Sequence, residues 1–363
     1  MTIVYCTDTL YRSGGIESVL TQKANYLAEQ LGYRIYIVTF HQKGRKPFFK
    51  LSEKVKLIDL DINIRFPFRQ RRYMNELGAL LEKVGADVCV SLCGVELFPI
   101  SKMETTCAKI AEFHFSYQSY LIRGKQYRLP AFIKAASRMN KFVVLTMEDA
   151  AVWGKYLDNV VQIYNPSDIK EFSSTEENMK HCISGGRLVK QKNYDAMLKV
   201  WKNVSADFPE WKLDIYGSGP LQDHLSKLIS KYSLEDSVTI YQPVGNFIEK
   251  IRNSSIYLMT SIYEGFPMVL IEAASAGVPA VSFACPTGPA EAIIDGQTGY
   301  VVKAGDCDAM ASRIKKLMED NQLRAKMGHQ AKQQCSRFRI ENIMKQWMNL
   351  FESIASDKPI SKL

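Results

Sequence analysis

Short apolar runs alternate with helical segments along this chain, and the alternation starts again near the middle. This pattern is typical of parallel strands covered by helices. In the first half it predicts strands at residues 3–6, 34–39, 55–60, 88–92, 109–113, 141–145 and 160–163, and helices at 17–31 and 73–84. In the second half it predicts strands at 181–185, 212–215, 238–241, 256–259, 280–283 and 299–302, and helices at 193–204, 221–232, 247–253, 267–276 and 309–355. The sequence therefore predicts an α/β protein with two doubly wound sheets of Rossmann type.

The chain is long enough for two such domains, because 363 residues exceed the usual size of one hydrophobic core. The turn-forming sequence Tyr164-Asn165-Pro166-Ser167-Asp168 predicts the linker, so we expect domains at 1–164 and 165–339. Two doubly wound domains joined in this way are expected to face each other across a cleft. Ligands of such sheets bind at the carboxyl ends of the strands, and the cleft is therefore the predicted site.

Composition excludes several classes of protein. A chain that is 46% hydrophobic and 23% charged is neither disordered nor fibrous. No run approaches the roughly 20 apolar residues of a membrane-spanning helix, and the N-terminus lacks the basic start of a signal peptide, so we expect a cytoplasmic protein. The eight cysteines form no CxxC pair and have no zinc-ligand spacing, which predicts reduced, mostly buried thiols and no metal site.

The positive charge is concentrated in the first half. Residues 1–164 hold 23 Lys and Arg against 15 Asp and Glu, whereas the remainder is almost balanced. One basic cluster surrounds Phe48 and Phe49 and contains Lys43, Arg45, Lys46 and Lys50. The other surrounds Phe66, Phe68 and Tyr73 and contains Arg65, Arg69, Arg71 and Arg72. Such clusters suit an anionic membrane surface or single-stranded nucleic acid, although a solvated loop and helix start would have the same composition.

In each half of the chain, a glycine-containing turn follows the first strand. Gly14 and Gly15 precede the first helix, where glycines allow close backbone approach and the helix N-terminus favours an anion. The turn is not the GxGxxG dinucleotide fingerprint, and a plain strand-to-helix turn would look the same. In the second half, Arg187 and Lys192 follow the strand at 181–185. Two cations there suit a diphosphate, with a solvated charged face as the alternative.

The most specific pattern is Glu264-Gly265-Phe266-Pro267-Met268-Val269-Leu270-Ile271-Glu272. Pro267 suits the first helical turn, which places Glu264 in a loop and Glu272 on the helix. The free amides of Met268, Val269 and Leu270 are then expected to point into the cleft as an anion site. Because a carboxylate only accepts hydrogen bonds, each glutamate suits the hydroxyl groups of a sugar or a ribose.

The pair Glu264 and Glu272 resembles the E-x7-E signature of retaining GT-B glycosyltransferases of family 4. Arg187 with Lys192, Gly14 with Gly15, and the turn Asp295-Gly296-Gln297-Thr298-Gly299-Tyr300 are similar to that family at the corresponding places. The sequence Cys285-Pro286-Thr287-Gly288-Pro289-Ala290-Glu291 resembles members that build surface polysaccharides, lipopolysaccharide or lipid-linked oligosaccharides. The resemblance implies the GT-B architecture, with a final helix at about 340–355 that packs back on the first domain.

The resemblance also implies roles for individual residues. Arg187 and Lys192 would hold the donor diphosphate, helped by Gly14, Gly15 and the amides after Pro267. Glu272 would bind the ribose hydroxyls and Glu264 would face the transferred hexose. His114 matches the family's first-domain histidine beside the sugar, and we expect it to be a strand-end residue facing a wet cleft; a polar strand-end residue without a role is the alternative. Pro243 and Val244 lie in the expected base-contacting loop.

The function expected from this resemblance is a retaining hexosyltransferase that moves a hexose or N-acetylhexosamine from a UDP-sugar to a glycan acceptor, lipid-linked, in cell-surface polysaccharide or glycolipid biosynthesis. It implies no metal and no cofactor; Asp59-Leu60-Asp61 resembles a metal-binding DxD only superficially. The expected partners are the donor, the acceptor and the anionic inner face of the membrane, with no nucleic acid. The alternatives are a GDP- or ADP-sugar donor, or a non-catalytic basic protein that binds membrane or nucleic acid.

Overall fold

A computed structural model describes residues 1–167 and 179–356. These residues form two units, each with its own sheet: residues 1–167 with 339–356, and residues 179–338.

The sheet of the first unit has seven parallel strands in the order β3-β2-β1-β4-β5-β6-β7. The strands are β1 (Thr2–Thr7), β2 (Arg34–Thr39), β3 (Val55–Asp59), β4 (Val88–Ser91), β5 (Ala108–Phe113), β6 (Lys141–Val144) and β7 (Val160–Gln162). Every residue of β1 and β4 is buried, as expected for central strands covered on both faces. The strand order reverses between β1 and β4, so this unit is doubly wound.

Six helices connect these strands: α1 (Gly15–Glu29), α2 (Pro67–Val84), α3 (Leu97–Lys102), α4 (Tyr117–Ile122), α5 (Leu129–Ala136) and α6 (Met147–Trp153). The expectation that α2 begins at Tyr73 is wrong, because the helix starts at Pro67, whose fixed φ suits a first turn. Tyr73 is fully buried against Phe40 and does not belong to the exposed basic cluster.

The sheet of the second unit has six parallel strands in the order β10-β9-β8-β11-β12-β13. The strands are β8 (His181–Gly185), β9 (Lys212–Tyr216), β10 (Val238–Tyr241), β11 (Ile256–Met259), β12 (Ala280–Ala284) and β13 (Gly299–Lys303). The helices are α7 (Tyr194–Asp207), α8 (Gln222–Lys231), α9 (Phe247–Arg252), α10 (Met268–Ser275), α11 (Pro289–Ala292), α12 (Cys307–Glu319) and α13 (Asn321–Gln334). Both units are thus Rossmann-like, as the alternating pattern predicts.

The last helix, α14 (Ile340–Ser356), belongs to the first unit and packs on α1. It buries one apolar face against the sheet. This face of the helix consists of Ile343, Met344, Trp347, Leu350, Phe351 and Ile354. Burial of such an apolar face stabilises the helix by about 25 cal/mol per Å² of apolar surface removed from water. The first unit therefore includes chain from both ends of the described residues.

All eight cysteines lie in the described residues, where they are buried and form no disulfide, as the sequence predicts. Among the helices of residues 1–167 and 179–356, none combines the length and apolar character that crossing a membrane requires.

Candidate active site

The carboxyl ends of β8 and β11 form the switch point of the second sheet, where the order of strands reverses. The loops that leave these two strands are joined by hydrogen bonds. The hydroxyl of Thr260 donates to the carbonyls of Lys192 and Asn193 at 3.1 and 3.0 Å, and the amide of Ile262 donates to the carbonyl of Gln191 at 2.8 Å. The two sequence motifs that lie 72 residues apart are therefore held side by side.

Lys192 and Glu264 form an ion pair across these loops. The Lys192 Nζ lies 2.7 Å from Glu264 Oε1, and the two side chains are 19% and 10% exposed. Arg187 is exposed and makes no ion pair with any acidic side chain of the described residues. Arg187 is thus an uncompensated cation at this edge of the sheet.

Glu272 lies on α10 without an ion-pair partner among residues 1–167 and 179–356. Burial of its carboxyl raises its pKa to about 7. Its neighbour is Tyr257, whose pKa is raised well above its usual value by burial, with Tyr194, Glu272 and Glu264 adding to the effect. The Tyr257 hydroxyl accepts the Gly185 amide at 3.1 Å, which ties β11 to the end of β8. An unpaired carboxylate of this kind favours ligands that donate hydrogen bonds.

Tyr257 was not singled out from the sequence, because a tyrosine inside the apolar run Ile256–Met259 has the pattern of an ordinary core residue. The signal that could have found it is its polar hydroxyl in a strand that is otherwise fully buried, since a buried hydroxyl needs a partner.

The start of α10 differs from the expected anion site. Pro267 is the residue before the helix, with φ −80° and ψ 84°, and it forms an inverse γ-turn in which the Met268 amide donates to the Phe266 carbonyl at 3.0 Å. The amide of Leu270 donates to the Pro267 carbonyl at 2.9 Å. The expectation of three free amides is therefore wrong, because the amides of Met268 and Leu270 are hydrogen-bonded within the turn. Among the described residues, only the Val269 amide of the three donates to no backbone carbonyl.

The turn that follows β12 contacts the segment Gly265–Phe266–Pro267 and fixes its position. The Thr287 hydroxyl donates to the Glu264 carbonyl at 2.6 Å. Gly288 has a φ of +107°, and a Cβ there would clash with the ring of Pro267, so only glycine fits. Phe266 is buried and packs on Phe338 with ring centroids 5.5 Å apart, which leaves its backbone rather than its ring for a ligand.

Pro243 and Val244 lie in the exposed loop after β10, which is separated from β8 by one strand. Beside this loop, Tyr216 stacks on Tyr241 with centroids 4.8 Å apart and contacts Phe247 at 5.5 Å. Flat aromatic surface at the carboxyl edge of the sheet is suited to a planar ligand group.

The remaining sequence-predicted residues lie in the first unit. Gly14 precedes the first turn of α1, and a Cβ at this position would clash with the carboxyl of Glu17. Burial raises the pKa of Glu17, while the charges of Arg12 and His114 oppose the rise. Gly15 has open space around its Cα. The structure therefore groups Gly14, Glu17 and His114, a set that the glycine turn alone did not reveal.

His114 follows β5 and its side chain is only 3% exposed, so the expectation of a residue facing a wet cleft is wrong. Its Nε2 lies 3.3 Å from Glu112 Oε1 without hydrogen-bond geometry to any acceptor in residues 1–167 and 179–356. The strand ends at Phe113, whose ring packs on Phe115, Phe142 and Trp153.

Beneath His114 lies a buried ion pair that sequence reasoning missed. Lys23 and Glu112 are 1% and 2% exposed, and the Lys23 Nζ donates to both carboxylate oxygens at 2.7 Å. Burial alone would raise the pKa of Glu112, but Lys23 and His114 lower it to about 2. The Lys23 Nζ also lies 3.5 Å from the ring centroid of Trp347 on α14. Lys23 occupies the apolar stripe of Leu20, Ala24 and Leu27 on α1, and a lysine in such a stripe is the signal that could have found the pair.

No group of three or more His, Cys, Asp or Glu side chains within residues 1–167 and 179–356 is arranged to hold a metal ion. The carboxylate of Asp59 instead accepts from the Thr39 hydroxyl at 3.0 Å and from the amides of Gln42 and Lys43 at 3.2 and 3.1 Å. Asp59 thus organises the turn after β2.

Comparison with known proteins supports a glycosyltransferase. Residues 166–334 match the family described as "Glycosyl transferases group 1". The chain has the fold of solved GT-B glycosyltransferases. It is similar to the amylovoran biosynthesis glycosyltransferase AmsD of Erwinia amylovora, with 29% identity over 361 residues, 94% of this chain and 97% of that protein.

The chain is also similar to a Campylobacter jejuni protein, the GalNAc-alpha-(1->4)-GalNAc-alpha-(1->3)-diNAcBac-PP-undecaprenol alpha-1,4-N-acetyl-D-galactosaminyltransferase, with 26% identity over 368 residues, 98% of this chain and 99% of that protein. Among solved structures, its fold matches a mutant of TarM from S. aureus in complex with fondaparinux, alpha-GlcNAc-glycerol and UDP. That match has a TM-score of 0.83 at 17% identity and covers 96% of this chain and 99% of the other.

Proposed function

We propose that this chain is a glycosyltransferase that moves a hexose or N-acetylhexosamine from a UDP-sugar to a glycan acceptor carried on a lipid, with retention at the anomeric carbon and without a metal ion. The observation that carries the proposal is the charge arrangement at the ends of β8 and β11: the free cation Arg187, the pair Lys192–Glu264 and the unpaired Glu272. The names of the relatives support the substrate class, since they include polysaccharide biosynthesis and an undecaprenol-linked glycan acceptor.

In this proposal the second unit binds the donor and the first unit receives the acceptor. Arg187 and Lys192 hold the two phosphates, and both cations stabilise the negative charge that grows on the leaving diphosphate as the bond to the sugar breaks. The Glu272 carboxylate accepts hydrogen bonds from the ribose hydroxyls. Glu264, oriented by Lys192, faces the transferred sugar. His114 stays assigned to the sugar side of the reaction as an untested prediction. The acceptor proton passes to the departing phosphate on the same face.

We expect UDP to raise the melting temperature of the protein more than GDP or ADP does. At a ligand concentration 100 times the dissociation constant, the stabilisation corresponds to about 2.7 kcal/mol. Differential scanning fluorimetry with the three nucleotides, each without added metal and with EDTA, provides the measurement. Arg187→Ala serves as the control, because loss of the free cation should abolish the UDP shift. Equal shifts with all three nucleotides would remove the uridine assignment, and a requirement for metal would remove the metal-independent mechanism.

We further propose that the start of α2 docks on an anionic membrane surface. Phe66 and Phe68 are 48% and 75% exposed, and the guanidinium of Arg69 lies within 5.7 Å of both ring centroids. Rings beside arginines suit the boundary between lipid headgroups and acyl chains. Two of the four arginines are partly neutralised, since Arg65 contacts Asp8 at 3.3 Å and Arg72 contacts Glu76 at 2.6 Å.

Replacing all four arginines of this cluster with Ser should release the protein from phosphatidylglycerol vesicles without changing hydrolysis of the donor in solution. The pairing also predicts an internal difference: Arg69→Ser with Arg71→Ser should weaken binding about 30-fold, because each basic residue at the surface contributes about 1 kcal/mol. Arg65→Ser with Arg72→Ser should have a smaller effect. Vesicle sedimentation is the measurement, and unchanged binding by the quadruple variant would return this face to ordinary solvated surface.

A further inference from the structure

A cavity of about 220 Å³ lies in the first unit, between α4 and the turn that leads to α5. It is lined by Phe115, Ser119, Tyr120, Arg123, Lys125 and Arg128. At about 30 Å³ per water molecule, the volume corresponds to roughly seven waters, which is enough for a diphosphate group. None of these residues belongs to a motif that the sequence analysis used.

The backbone of this segment explains why three cations meet at one cavity. Gly124 has a φ of +61°, and its amide donates to the Leu121 carbonyl at 3.0 Å while that of Lys125 donates to the Tyr120 carbonyl at 2.7 Å. This is a Schellman ending, in which the residue after the helix adopts the left-handed conformation that glycine favours. The chain therefore reverses between Arg123 and Lys125, and both side chains line the same space.

The segment is also held in place at its start. The Ser116 hydroxyl accepts the amide of Ser119 at 3.2 Å, and the Tyr117 amide donates to Asp149 Oδ1 at 3.0 Å. The Ser119 hydroxyl donates to the Ser116 carbonyl at 2.6 Å. The cavity wall is thus an ordered turn that follows His114 by a few residues, rather than a loose surface loop.

The charges in the cavity have no acidic partner. Within the described residues, Arg123, Lys125 and Arg128 make no ion pair, and the one polar contact of Arg128 is with the Tyr127 hydroxyl at 3.2 Å. The Tyr120 hydroxyl likewise has no hydrogen-bond partner in that part of the chain. Burial raises the pKa of Tyr120 to about 12 although Arg123 and Arg128 oppose the rise, so the phenol keeps its proton and can donate it.

We propose that this cavity binds a phosphate or diphosphate group of the acceptor. Two guanidinium groups, one ammonium and one phenol hydroxyl supply hydrogen-bond donors, which complement the acceptor oxygens of a phosphate. Arginine is the side chain best matched to phosphate geometry. The same segment of chain carries exposed apolar side chains, with Leu121 at 41%, Ile122 at 45% and Tyr127 at 69%, which suits a phosphate that is attached to a lipid chain. The assignment to the acceptor rests on the proposed function.

The test is a titration of inorganic pyrophosphate into the wild type and into the double variant Arg123→Ser/Arg128→Ser, measured by isothermal calorimetry with UDP at saturation. Lys54→Ser/Lys83→Ser is the matched control, because it removes two exposed positive charges of the same unit away from the cavity. We expect the cavity variant to bind pyrophosphate at least tenfold more weakly than both the wild type and the control. Equal binding by the two variants would overturn the proposal.

Two further measurements separate the possible sources of failure. The wild type, the cavity variant and the control should bind UDP with the same affinity. If UDP binds to none of them, the proposed UDP-sugar donor is wrong. The difference in pyrophosphate affinity between the cavity variant and the control then still tests the cavity. Binding to phosphatidylglycerol vesicles should be equal in the cavity variant and its charge-matched control. A variant that loses vesicle binding but keeps pyrophosphate binding would assign these cations to bilayer headgroups and overturn the assignment to the acceptor.

Discussion

Glu112→Gln is expected to destabilise the first unit by about 3–5 kcal/mol, the usual cost of leaving one buried charge without its partner. Lys23 is 1% exposed and Glu112 receives both of its short hydrogen bonds, so the substitution leaves an ammonium group in a site that water does not reach. The ring of Trp347 on α14 attracts the ammonium but cannot replace a carboxylate. Denaturant unfolding, combined with hydrogen exchange of α1 and β5, reports the change in this unit.

The control removes both charges. Lys23→Met with Glu112→Leu should recover most of the lost stability, because buried ion pairs are often replaced by apolar side chains at little cost. The pair also makes stability depend on acid. Since the pKa of Glu112 in the folded protein is about 2, below its ordinary value of 4.5, its contribution is complete above pH 4.5 and is lost as the pH falls towards 2. A Glu112→Gln protein that unfolds at the wild-type denaturant concentration would contradict this account.

The elements that were predictable are those whose signal is local. Buried parallel strands appear as continuous apolar runs, and the expected strand at 181–185 matches β8 residue for residue. The loop position of Glu264 and the helical position of Glu272 followed from the proline between them, although Pro267 precedes the helix instead of beginning it. The two glutamates are only eight residues apart, and the loop runs directly into the helix, so the local sequence was enough to place both of them.

The parts that were missed depend on contacts between distant residues or on very short elements. Lys23 and Glu112 are 89 positions apart, so the apolar stripe around Lys23 indicates a buried cation but not which residue is its partner. The helices α4 and α6 have six and seven residues, too few for apolar periodicity to be visible. Their signal lies in the caps instead, since Ser116 and Thr146 each accept an amide of the first turn. The amides of Met268 and Leu270 are hydrogen-bonded because of the ψ angle of Pro267, which the sequence does not specify.

Glu272→Gln should have opposite effects on stability and on nucleotide binding. Burial raises the pKa of Glu272 from 4.5 to about 7, so between these pH values the folded protein holds a proton that the unfolded chain releases. Stability is therefore lost as the pH rises through this range, and the ionised carboxyl costs up to about 3 kcal/mol at pH 8. Glutamine carries no charge to bury, and the variant without ligand should be more resistant to denaturant at pH 8 while differing little at pH 4.5.

The same carboxylate is the proposed acceptor for ribose hydroxyls, and its replacement should weaken UDP binding by about 1.5–3 kcal/mol, or roughly 10- to 150-fold. The ribose hydroxyls donate hydrogen bonds to Glu272 and so favour its ionised carboxylate. The UDP affinity of the wild type should therefore rise between pH 6 and pH 8, and binding should release a proton. The UDP affinity of the variant should not change with pH. Glu264→Gln is the matched control: its carboxylate is already paired with Lys192, so this variant should gain no stability at pH 8. Calorimetric titrations at several pH values and in buffers of different ionisation enthalpy measure both affinity and proton release. If the two variants respond alike, or if wild-type affinity is constant from pH 6 to pH 8, Glu272 is not the buried carboxylate that receives the nucleotide.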